Sequence, residues 1–542
     1  MTTATAPAIA PALDLIALRR WPITAAAHML GLGVVLAVLM ALPVAPSDLD
    51  RHQFPKETLF HLGVFLAVLV ARPWPALGTR RATWAAVVAL ACWSAVSATM
   101  ATNPWLSLRA TTLTITALAA LVTARHLAAL GAATILLGWA ATAAGLGAAT
   151  GLLQALGVEH PFFNELRAPG GTFGNRNFLA HLAAAALPLL AYLILTVRRW
   201  SALTLAAVGV ACCAAALVLT RSRAGWLAAL TGVAISVGML LYSRWRVGVP
   251  LRTGRVLVLV LMAPAGVAAA MLLPNTLEWR SDSPYTDTLG NLANYREGSG
   301  RGRLLQYQNS LELARRQPIL GVGPGNWALH YGDVAPRGDP SFARNDVVPL
   351  NPWPSSDWVA VVAERGVPGL LAALLLGVSL LWRGLAGIRA GGERGLGGAA
   401  LVGTLAAVAI AGMFDAVLLL AVPAAWSAVA LGALLSRADG DAPGTVQPVR
   451  RTAGATLLIV LVGIGAFRST MQTAAYALAG DGSSRARLER AALVDPFNYQ
   501  LRIRLARGAC RQARPHAKAA VKLAPSWPAA RAAARRCGVA TG

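Results

Sequence analysis

The sequence predicts an all-α protein: a polytopic membrane bundle of about 12–13 transmembrane helices, with one large polar segment and a small helical tail. Of the 542 residues, 56% are hydrophobic and only 13% are charged, whereas soluble proteins carry about 25% charge. Apolar runs recur along the chain, and many are long enough to cross the ~30 Å of hydrocarbon in a bilayer. We expect helices in these runs, because backbone polar groups in lipid need partners within their own segment.

The apolar runs divide the chain into about thirteen spans. The second run is short, and the two runs beside Asp415 resemble a tight hairpin, so the count is uncertain by one. Together the runs predict a transmembrane domain over residues 1–478, a polar segment at 274–356 and a tail at 479–542. The spans are expected near residues 24–45, 57–72, 82–101, 106–124, 130–153, 177–197, 201–220, 223–242, 255–273, 357–382, 396–414, 416–436 and 453–478.

Arginines supply almost all of the net charge of +25, and they concentrate in alternate connections between the spans. The positive-inside rule places the arginine-rich side in the cytoplasm. The N-terminus is then inside, and both the polar segment and the tail are outside. Because the arginines sit in short clusters between apolar runs rather than on one face, nucleic acid is not expected as a partner.

Asp48-Leu-Asp50, in the first outer connection, is an arrangement that can hold a divalent metal ion. A lone pair of this kind is weak support, and a solvated loop is the favoured interpretation. No zinc or CxxC spacing occurs among the five cysteines. The sequence therefore predicts no metal site and no cofactor.

The seventh and eighth spans are joined by Thr220-Arg-Ser-Arg-Ala-Gly-Trp226. This loop falls on the outer side, where arginines beside a span are not favoured. A guanidinium matches phosphate oxygens bidentately, so Arg221 and Arg223 are candidates for binding a lipid diphosphate. The alternative is that both side chains extend to lipid headgroups.

The sixth span opens with Gly170-Gly-Thr-Phe-Gly-Asn-Arg-Asn-Phe-Leu-Ala-His181. Asn175, Arg176 and Asn177 offer hydrogen bonds at a helix N-terminus, which favours anions. His181 is expected one turn inside the span, where polar groups usually face the bundle interior. The alternative is a helix cap followed by a core histidine.

In the polar segment, Arg301 and Arg303 precede an amphipathic helix over Leu304–Leu313. The glycines at 321, 323 and 325 then form a turn that ends at Asn326, and they would allow a sugar or phosphate to approach the backbone. Trp327, Trp353 and Trp358 can stack on sugar rings or form an interfacial belt. Candidate ligands for the substrate here are Arg301, Arg303, Asn326, Trp353, Ser355 and Ser356.

Asp357 and Glu364 are seven residues apart at the start of the tenth span, which places them two turns apart on one helix face. One of them can accept a proton from an attacking hydroxyl. The alternative for Glu364 is a structural ion pair with a nearby arginine.

The tail over residues 483–538 shows amphipathic helices with alanines at close-packing positions. Asp495-Pro-Phe-Asn and Ala524-Pro-Ser-Trp recur ~29 residues apart, as in degenerate tetratricopeptide units. Two units bury little core alone, so we expect the tail to dock on the membrane domain; the alternative is a basic, partly disordered tail. In an oxidising compartment, Cys510 and Cys537 could pair.

Five motifs in residues 165–435 together resemble the O-antigen ligase and polymerase family of bacterial envelopes. Their order and their shared outer position carry the resemblance. The motifs are Gly-Thr-Phe-Gly-Asn-Arg-Asn-Phe-Leu-Ala (171–180), Leu-Thr-Arg-Ser-Arg-Ala-Gly-Trp-Leu-Ala (219–228), Arg303 with its helix, Pro-Ile-Leu-Gly-Val-Gly-Pro-Gly-Asn-Trp (318–327) and Ala-Glu-Arg-Gly-Val-Pro-Gly-Leu (363–370).

The resemblance implies a type C glycosyltransferase architecture in the bacterial inner membrane. Such enzymes take a glycan from undecaprenyl diphosphate at the periplasmic face and pass it to lipid A core, a growing polysaccharide or a protein. The family's ligases look metal-independent and inverting, with arginines on the diphosphate and a histidine base. Arg223 (or Arg221) and Arg303 match the arginine positions.

One departure concerns the base. Where the family commonly has a histidine, nine residues before Glu364, this chain has Ser355. Asp357, His330 or His181 then takes the role, with Asp357 favoured, or the chain runs different chemistry or is inactive.

Alternatives to a ligase remain open in the sequence. A polymerase and a protein O-oligosaccharyltransferase share these motifs. A polysaccharide transporter predicts inverted repeats and charges near the midplane, and no clear internal repeat is visible. A non-catalytic lipid-binding scaffold is the further alternative, and the tail is a candidate for recruiting a protein partner.

Overall fold

The computed structural model describes residues 10–71, 81–248, 252–279, 281–290, 298–336, 339, 352–440 and 453–541. Within these residues the chain is helical and contains no β-strand, which confirms the all-α prediction. The first nine helices are α1 (Ala10–Leu39), α2 (Asp48–Ala71), α3 (Arg81–Ser97), α4 (Pro104–Leu127), α5 (Ala133–Ala155), α6 (Arg176–Thr196), α7 (Trp200–Thr220), α8 (Arg223–Val247) and α9 (Thr253–Leu272).

In the described chain, three helices occupy the polar segment, four further helices complete the bundle, and four helices form the tail. The remaining helices are α10 (Pro284–Gly290), α11 (Gly298–Arg316), α12 (Trp327–Tyr331), α13 (Asp357–Ala390), α14 (Gly392–Phe414), α15 (Ala421–Asp439), α16 (Ala453–Ala479), α17 (Arg485–Val494), α18 (Tyr499–Leu505), α19 (Cys510–Leu523) and α20 (Pro528–Arg536).

Twelve helical stretches of the described chain are long and apolar enough to cross a membrane. One of them, Pro104–Ala155, has 52 residues and contains both α4 and α5. A π-helical turn separates the two, and Gly131 in that turn has a φ of 103°. Since the start of α4 and the end of α5 both contact the polar segment, the chain reverses at this turn. Each of the predicted spans therefore corresponds to one helix, and the polytopic membrane bundle is confirmed.

The connections that precede α2, α4, α6, α8, α13 and α15 meet at one end of the bundle, which we call the tail end. Asn103 N donates to Asn326 Oδ1 at 2.7 Å, and Ser97 Oγ donates to the carbonyl of Leu320 at 2.6 Å. At the opposite end, buried Asp439 forms ion pairs with Arg125 and Arg383. The arginines of that end thus neutralise a carboxylate that the bundle has removed from water.

The expectation of a solvated loop at Asp48–Asp50 is wrong. Helix α2 already begins at Asp48, and Asp50 is buried. Asp48 instead forms an ion pair with Arg51, Nε to Oδ1 at 2.6 Å. Residues two apart on a helix point in different directions, so the two carboxylates do not form one ligand set.

The glycine turn of the polar segment packs on protein rather than lying open to a ligand. Gly321, Gly323 and Gly325 have φ of 66°, 91° and 70°, a region that side chains rarely adopt. A Cβ on Gly321 would lie 2.3 Å from the carbonyl carbon of Glu364. The expectation that these glycines admit a sugar or phosphate is therefore replaced by a packing role: they let the turn lie against α13.

The tail is helical, as predicted, and it docks on the tail end of the bundle. Trp527 and Tyr499 share a buried apolar cluster with Leu329 of α12. Trp105 Nε1 donates to Asp495 Oδ1 at 2.7 Å, and Asn103 Nδ2 donates to the carbonyl of Leu523 at 3.1 Å. These contacts fix the tail against α4 and α12.

The two tail cysteines are paired. A disulfide joins Cys510, at the start of α19, to Cys537, directly after α20, with their Cα atoms 5.1 Å apart. The bond holds the last helix of the tail against the beginning of the helix before it.

Candidate functional site

Two cavities lie side by side at the tail end of the bundle. We call them the Arg303 cavity, of about 350 Å³, and the Arg221 cavity, of about 950 Å³. The 3₁₀ turn Glu165–Arg167 and the N-terminus of α6 separate them. Arg167, Asn175 and Asn177 line the first cavity, whereas Glu165 and Arg176 line the second.

The N-terminus of α6 is positioned by its own cap and by glycines. Asn175 Oδ1 accepts a hydrogen bond from the backbone N–H of Asn177 at 3.0 Å, which satisfies one of the free donors at the helix start. Gly174 has a φ of 66°, and a Cβ there would lie 2.3 Å from the imidazole ring of His52. The glycines therefore bring α6 against α2, and this close approach forms one wall of the Arg303 cavity.

The Arg303 cavity brings together five of the residues that the sequence predicts. It also contains polar residues that the sequence reasoning did not single out as site residues. Predicted residues in its lining are Arg303, Asn175, Asn177, Trp353 and Ser355, and the additional ones are Asp48, His52, Asn164, Arg167 and Asp415.

Arg303 is one of two arginines that line this cavity, and the other is Arg167. The guanidinium of Arg303 has no ion pair or hydrogen bond with any residue that the structure describes. The charges of Arg303 and Asp415 both interact electrostatically with the imidazole of His181. An arginine that the protein leaves without a partner can neutralise an anionic ligand.

His181 lies one turn into α6, as predicted, and is buried. Neither ring nitrogen has a hydrogen-bond partner among the described residues. His181 is not among the described residues that line the Arg303 cavity, although the charges of Arg303 and Asp415 act on its ring. A buried polar group without a partner is destabilising, so an imidazole without partners at this position is a candidate for a functional role.

Two arginines of the Arg221 cavity share one aromatic ring. The guanidinium carbon of Arg221 lies 4.6 Å from the ring centre of Trp279, and that of Arg176 lies 5.6 Å away. Neither arginine has an ion pair with a described residue, although the exposed side chains of Glu159, Glu165 and Glu278 also line the cavity. Trp279 thus holds two guanidinium groups together on one side of a cavity that three carboxylates also line.

Backbone geometry fixes Arg221. It ends α7 in the left-handed region with φ 50°, the one non-glycine residue of the described chain with positive φ. Its Nε donates to Thr288 Oγ1 of α10 at 3.0 Å, and burial lowers the pKa of Arg221. Strained backbone at a charged side chain is a common feature of ligand sites.

Arg223 and Arg301 lie elsewhere. Arg223 is the first residue of α8 and half-buried, and Arg301 is exposed on α11. Neither is among the described residues that line the two cavities. Of the two candidate arginines in the 220–226 loop, Arg221 therefore lines the Arg221 cavity and Arg223 does not.

Asp357 and Ser356 hold the start of α13 in place. Asp357 is buried, and its carboxylate accepts the backbone N–H groups of Val417 and Leu418 at 2.9 Å. Ser356 caps α13 and donates to the carbonyl of Gly412 at 3.0 Å. Both side chains are thus engaged by the α14–α15 connection, and neither lines the Arg303 cavity.

Glu364 and Asn326 tie the glycine turn to its surroundings. Glu364 Oε2 accepts the backbone N–H of Gly325 at 2.8 Å and lies 3.4 Å from Arg365 Nη1. Asn326 bonds the backbone of Asn103 in both directions, at 2.7 and 3.2 Å. Glu364 and Asp357 contact different segments, so they do not form one carboxylate pair.

His330 lies beneath the tail. Its Nε2 is 2.9 Å from Thr102 Oγ1, and its Nδ1 is 3.8 Å from Asp333. Burial lowers the pKa of His330, and the charge of Asp333 opposes the shift. The ring is outside the lining of both cavities.

The polar face of α2 is the feature that sequence reasoning missed. His52 lines the Arg303 cavity, and its Nδ1 lies 3.2 Å from the carbonyl of Thr172. Buried Glu57 forms an ion pair with Arg109 of α4. Ionisable residues inside an apolar run are a sign of function or of buried pairing, and that sign was present between residues 50 and 61.

One comparison with known proteins shows a similarity to a described family. A family model described as O-antigen ligase matches residues 208–374, a stretch that contains Arg221, Arg303 and Ser355. A search of curated proteins found no match. The motif at 171–180 lies before the matched stretch, and the structure joins it to that stretch across the two cavities. Residues 208–374 are therefore similar to the O-antigen ligase family, and this similarity covers less than half of the chain.

Proposed function

We propose that the protein transfers a glycan from undecaprenyl diphosphate to an acceptor hydroxyl at the periplasmic face of the bacterial inner membrane. The observation that carries the proposal is the unpaired Arg303 in a cavity that Asp415 also lines, at the tail end of a bundle whose residues 208–374 are similar to O-antigen ligases. Buried His181 is not among the lining residues, but the charges of Arg303 and Asp415 both act on it. The diphosphate leaving group is an anion, and arginine supplies a cation at any physiological pH.

The two cavities divide the donor between them. The carrier diphosphate binds at the wall between the cavities, with Arg176 and Arg221 on the side of Trp279 and Arg303 on the other. The larger volume on the Arg221 side suits the lipid-linked part. Because these cations are in place before the reaction, they stabilise the charge that develops on the diphosphate without reorganisation.

His181 is the base of this proposal. The acceptor oxygen attacks the anomeric carbon from the side opposite the diphosphate, which inverts the configuration. The bond from that carbon to the diphosphate oxygen breaks, and the diphosphate leaves with the electron pair. The acceptor proton passes to a nitrogen of His181, and the carboxylate of Asp415 stabilises the imidazolium.

The choice of His181 over Asp357 and His330 rests on their hydrogen-bond partners, because none of the three lines the Arg303 cavity. The Asp357 carboxylate already accepts two backbone N–H groups, and His330 lies under the tail against Thr102. His181 has both ring nitrogens without partners in the described chain, and it is the histidine on which Arg303 and Asp415 act. Asn175 and Asn177 are then available to the sugar hydroxyls.

Two observations support the proposed orientation. Disulfides persist in oxidising compartments, and the Cys510–Cys537 bond lies in the tail. The Asp439 cluster at the opposite end contains Arg125 and Arg383, which agrees with a cytoplasmic position under the positive-inside rule.

Deletion of the gene in the source cell, followed by analysis of surface glycans, tests the proposal. Loss of attached chains with polymer accumulating on the carrier indicates a ligase. Single repeat units on the carrier indicate a polymerase, and loss of glycosylated proteins alone indicates a protein O-oligosaccharyltransferase. Unchanged surface glycans and carrier lipids would contradict the proposal.

A further inference from the structure

The tail carries far more positive charge than docking requires. Residues 479–542 contain 13 Lys and Arg against 3 Asp and Glu, a net charge of +10. The contacts that dock the tail on the bundle are mainly an apolar cluster and hydrogen bonds. Seven of these 13 cations already form side-chain hydrogen bonds within the described residues, and the other six are left for a different purpose.

Part of this charge lines a cleft of about 580 Å³ between the tail and α12. Four exposed arginines, at positions 507, 531, 535 and 536, line it together with one carboxylate, Asp333. The lining thus has a net charge of about +3 in a concave site, and concave charged surfaces concentrate counter-ions more than flat ones.

The cleft is held rigidly. Arg531 Nε donates to the carbonyl of Pro525 at 2.5 Å, and Arg536 Nη2 donates to the carbonyl of Gly508 at 3.1 Å. The disulfide follows directly after Arg536 and fixes the end of α20. At the other end of α20, Trp527 is buried against Leu329 of the bundle. A site whose donors are held in advance binds with less loss of entropy.

Arg507 and Arg535 complete the site. Neither side chain has an ion pair or hydrogen bond with a described residue, so their guanidinium groups are available to a ligand. An arginine recognises the planar carboxylate and the phosphate group bidentately. The chemistry of the cleft therefore fits a phosphate or carboxylate carried on a larger molecule.

We propose that this cleft binds the anionic portion of the acceptor, a glycan that bears phosphate or carboxylate groups. The identification of this ligand as the acceptor rests on the proposed function. A bilayer is the less suitable ligand, because the large apolar side chains exposed in the described tail are Leu493 and Phe497, and neither lines the cleft. The tail would thereby hold the acceptor on the same end of the bundle as the Arg303 cavity.

Binding of two sugars to the purified full chain in nanodiscs tests this proposal. The probes are maltohexaose carrying one 6-phosphate and unmodified maltohexaose, measured by titration calorimetry. We expect binding of the phosphorylated sugar alone, and about tenfold or greater weakening in the double variant Arg507→Gln/Arg535→Gln, because each lost charge-assisted hydrogen bond contributes about that factor. The control, Arg511→Gln/Arg514→Gln, removes the same charge from exposed positions of α19 outside the cleft and should keep the native affinity.

Three results would overturn the proposal. They are no binding of the phosphorylated sugar, equal weakening in both double variants, and equal affinity for the neutral sugar. Flotation with phosphatidylglycerol vesicles that Arg507→Gln/Arg535→Gln abolishes, without sugar binding, would assign the cleft to lipid headgroups instead. Because no transfer is measured, the failure of this proposal is distinct from failure of the glycosyltransferase proposal, which the deletion experiment decides.

Discussion

Replacing Arg303 by alanine tests the charged cavity, and the chain supplies its own control two residues away. Arg303 lines the cavity together with Asp415, whereas Arg301 of the same helix is exposed and lies outside the lining. Removing one preorganised donor that stabilises developing charge lowers the rate about 10²–10³-fold, or ~2.7–4 kcal/mol. We expect a loss of this size for Arg303→Ala.

Both Arg303→Ala and the control variant Arg301→Ala are expected to fold. Arg303 is half-buried and has no ion pair with the described residues, so its removal leaves no carboxylate without a partner. The free energy of unfolding should change by no more than about 0.5 kcal/mol, and Arg301→Ala should retain transfer within about twofold.

The assay uses the purified chain in liposomes with an undecaprenyl-diphosphate-linked glycan and the acceptor class found by the deletion experiment. Initial rates of transfer are compared at saturating donor, and thermal unfolding confirms folding. Transfer by Arg303→Ala within about threefold of the native rate, where a loss of ~2.7 kcal/mol or more is expected, would refute the reasoning. An equal loss in Arg301→Ala would also refute it, since the effect would then not depend on the cavity.

Three further predictions concern the base, the tail and the glycine turn. His181→Gln should slow transfer by about 10²–10⁴-fold, the range for a lost general base, whereas Asp357→Asn should lower unfolding free energy by ~1–3 kcal/mol with near-native transfer from the folded fraction. Cys510→Ser with Cys537→Ser removes a bond across 27 residues and should destabilise the tail by about 2–4 kcal/mol, measured by limited proteolysis. Gly321→Ala, at φ 66°, should destabilise the protein by more than ~1 kcal/mol, measured by thermal unfolding.

Each of these predictions has an outcome that counts against it. Near-native transfer by His181→Gln together with strong loss in Asp357→Asn would return the role of base to Asp357. Unchanged proteolysis of the double serine variant would mean that docking alone holds the tail. A Gly321→Ala variant as stable as the native chain would remove the packing role of the turn.

The sequence predicted the bundle and much of the Arg303 cavity because both depend on local patterns. Apolar length alone determines the spans, and the Asn175 cap and Arg303 follow from a helix start and an amphipathic helix. Arg221 could not be chosen over Arg223 in the same way. That choice depends on the left-handed backbone at Arg221, which turns its side chain toward Trp279 and which no residue pattern reveals.

Two other features depended on contacts between distant segments. The sequence is equally consistent with a ligand-binding loop at glycines 321, 323 and 325. The structure shows instead that Glu364 packs against Gly321 and Leu106 against Gly325. The sequence predicts a loop at the start of α2 because Asp48 and Asp50 are acidic. In the structure Asp50 is buried, and Arg109 is near enough for its charge to act on the carboxylate. A polar residue inside a membrane domain is stabilised by partners far along the chain, and those partners are not visible locally.

Binding of the carrier lipid tests the central claim most directly, because it requires no acceptor. Undecaprenyl diphosphate is titrated onto the native chain, Arg221→Ala and Arg303→Ala in nanodiscs, with undecaprenol as the lipid lacking phosphate. We predict that each variant binds the diphosphate about tenfold more weakly or worse, as expected for a lost charge-assisted hydrogen bond, and that undecaprenol binds all three alike. Native affinity in both variants, or equal affinity for undecaprenol and the diphosphate, would contradict the claim that these arginines hold the carrier's phosphates.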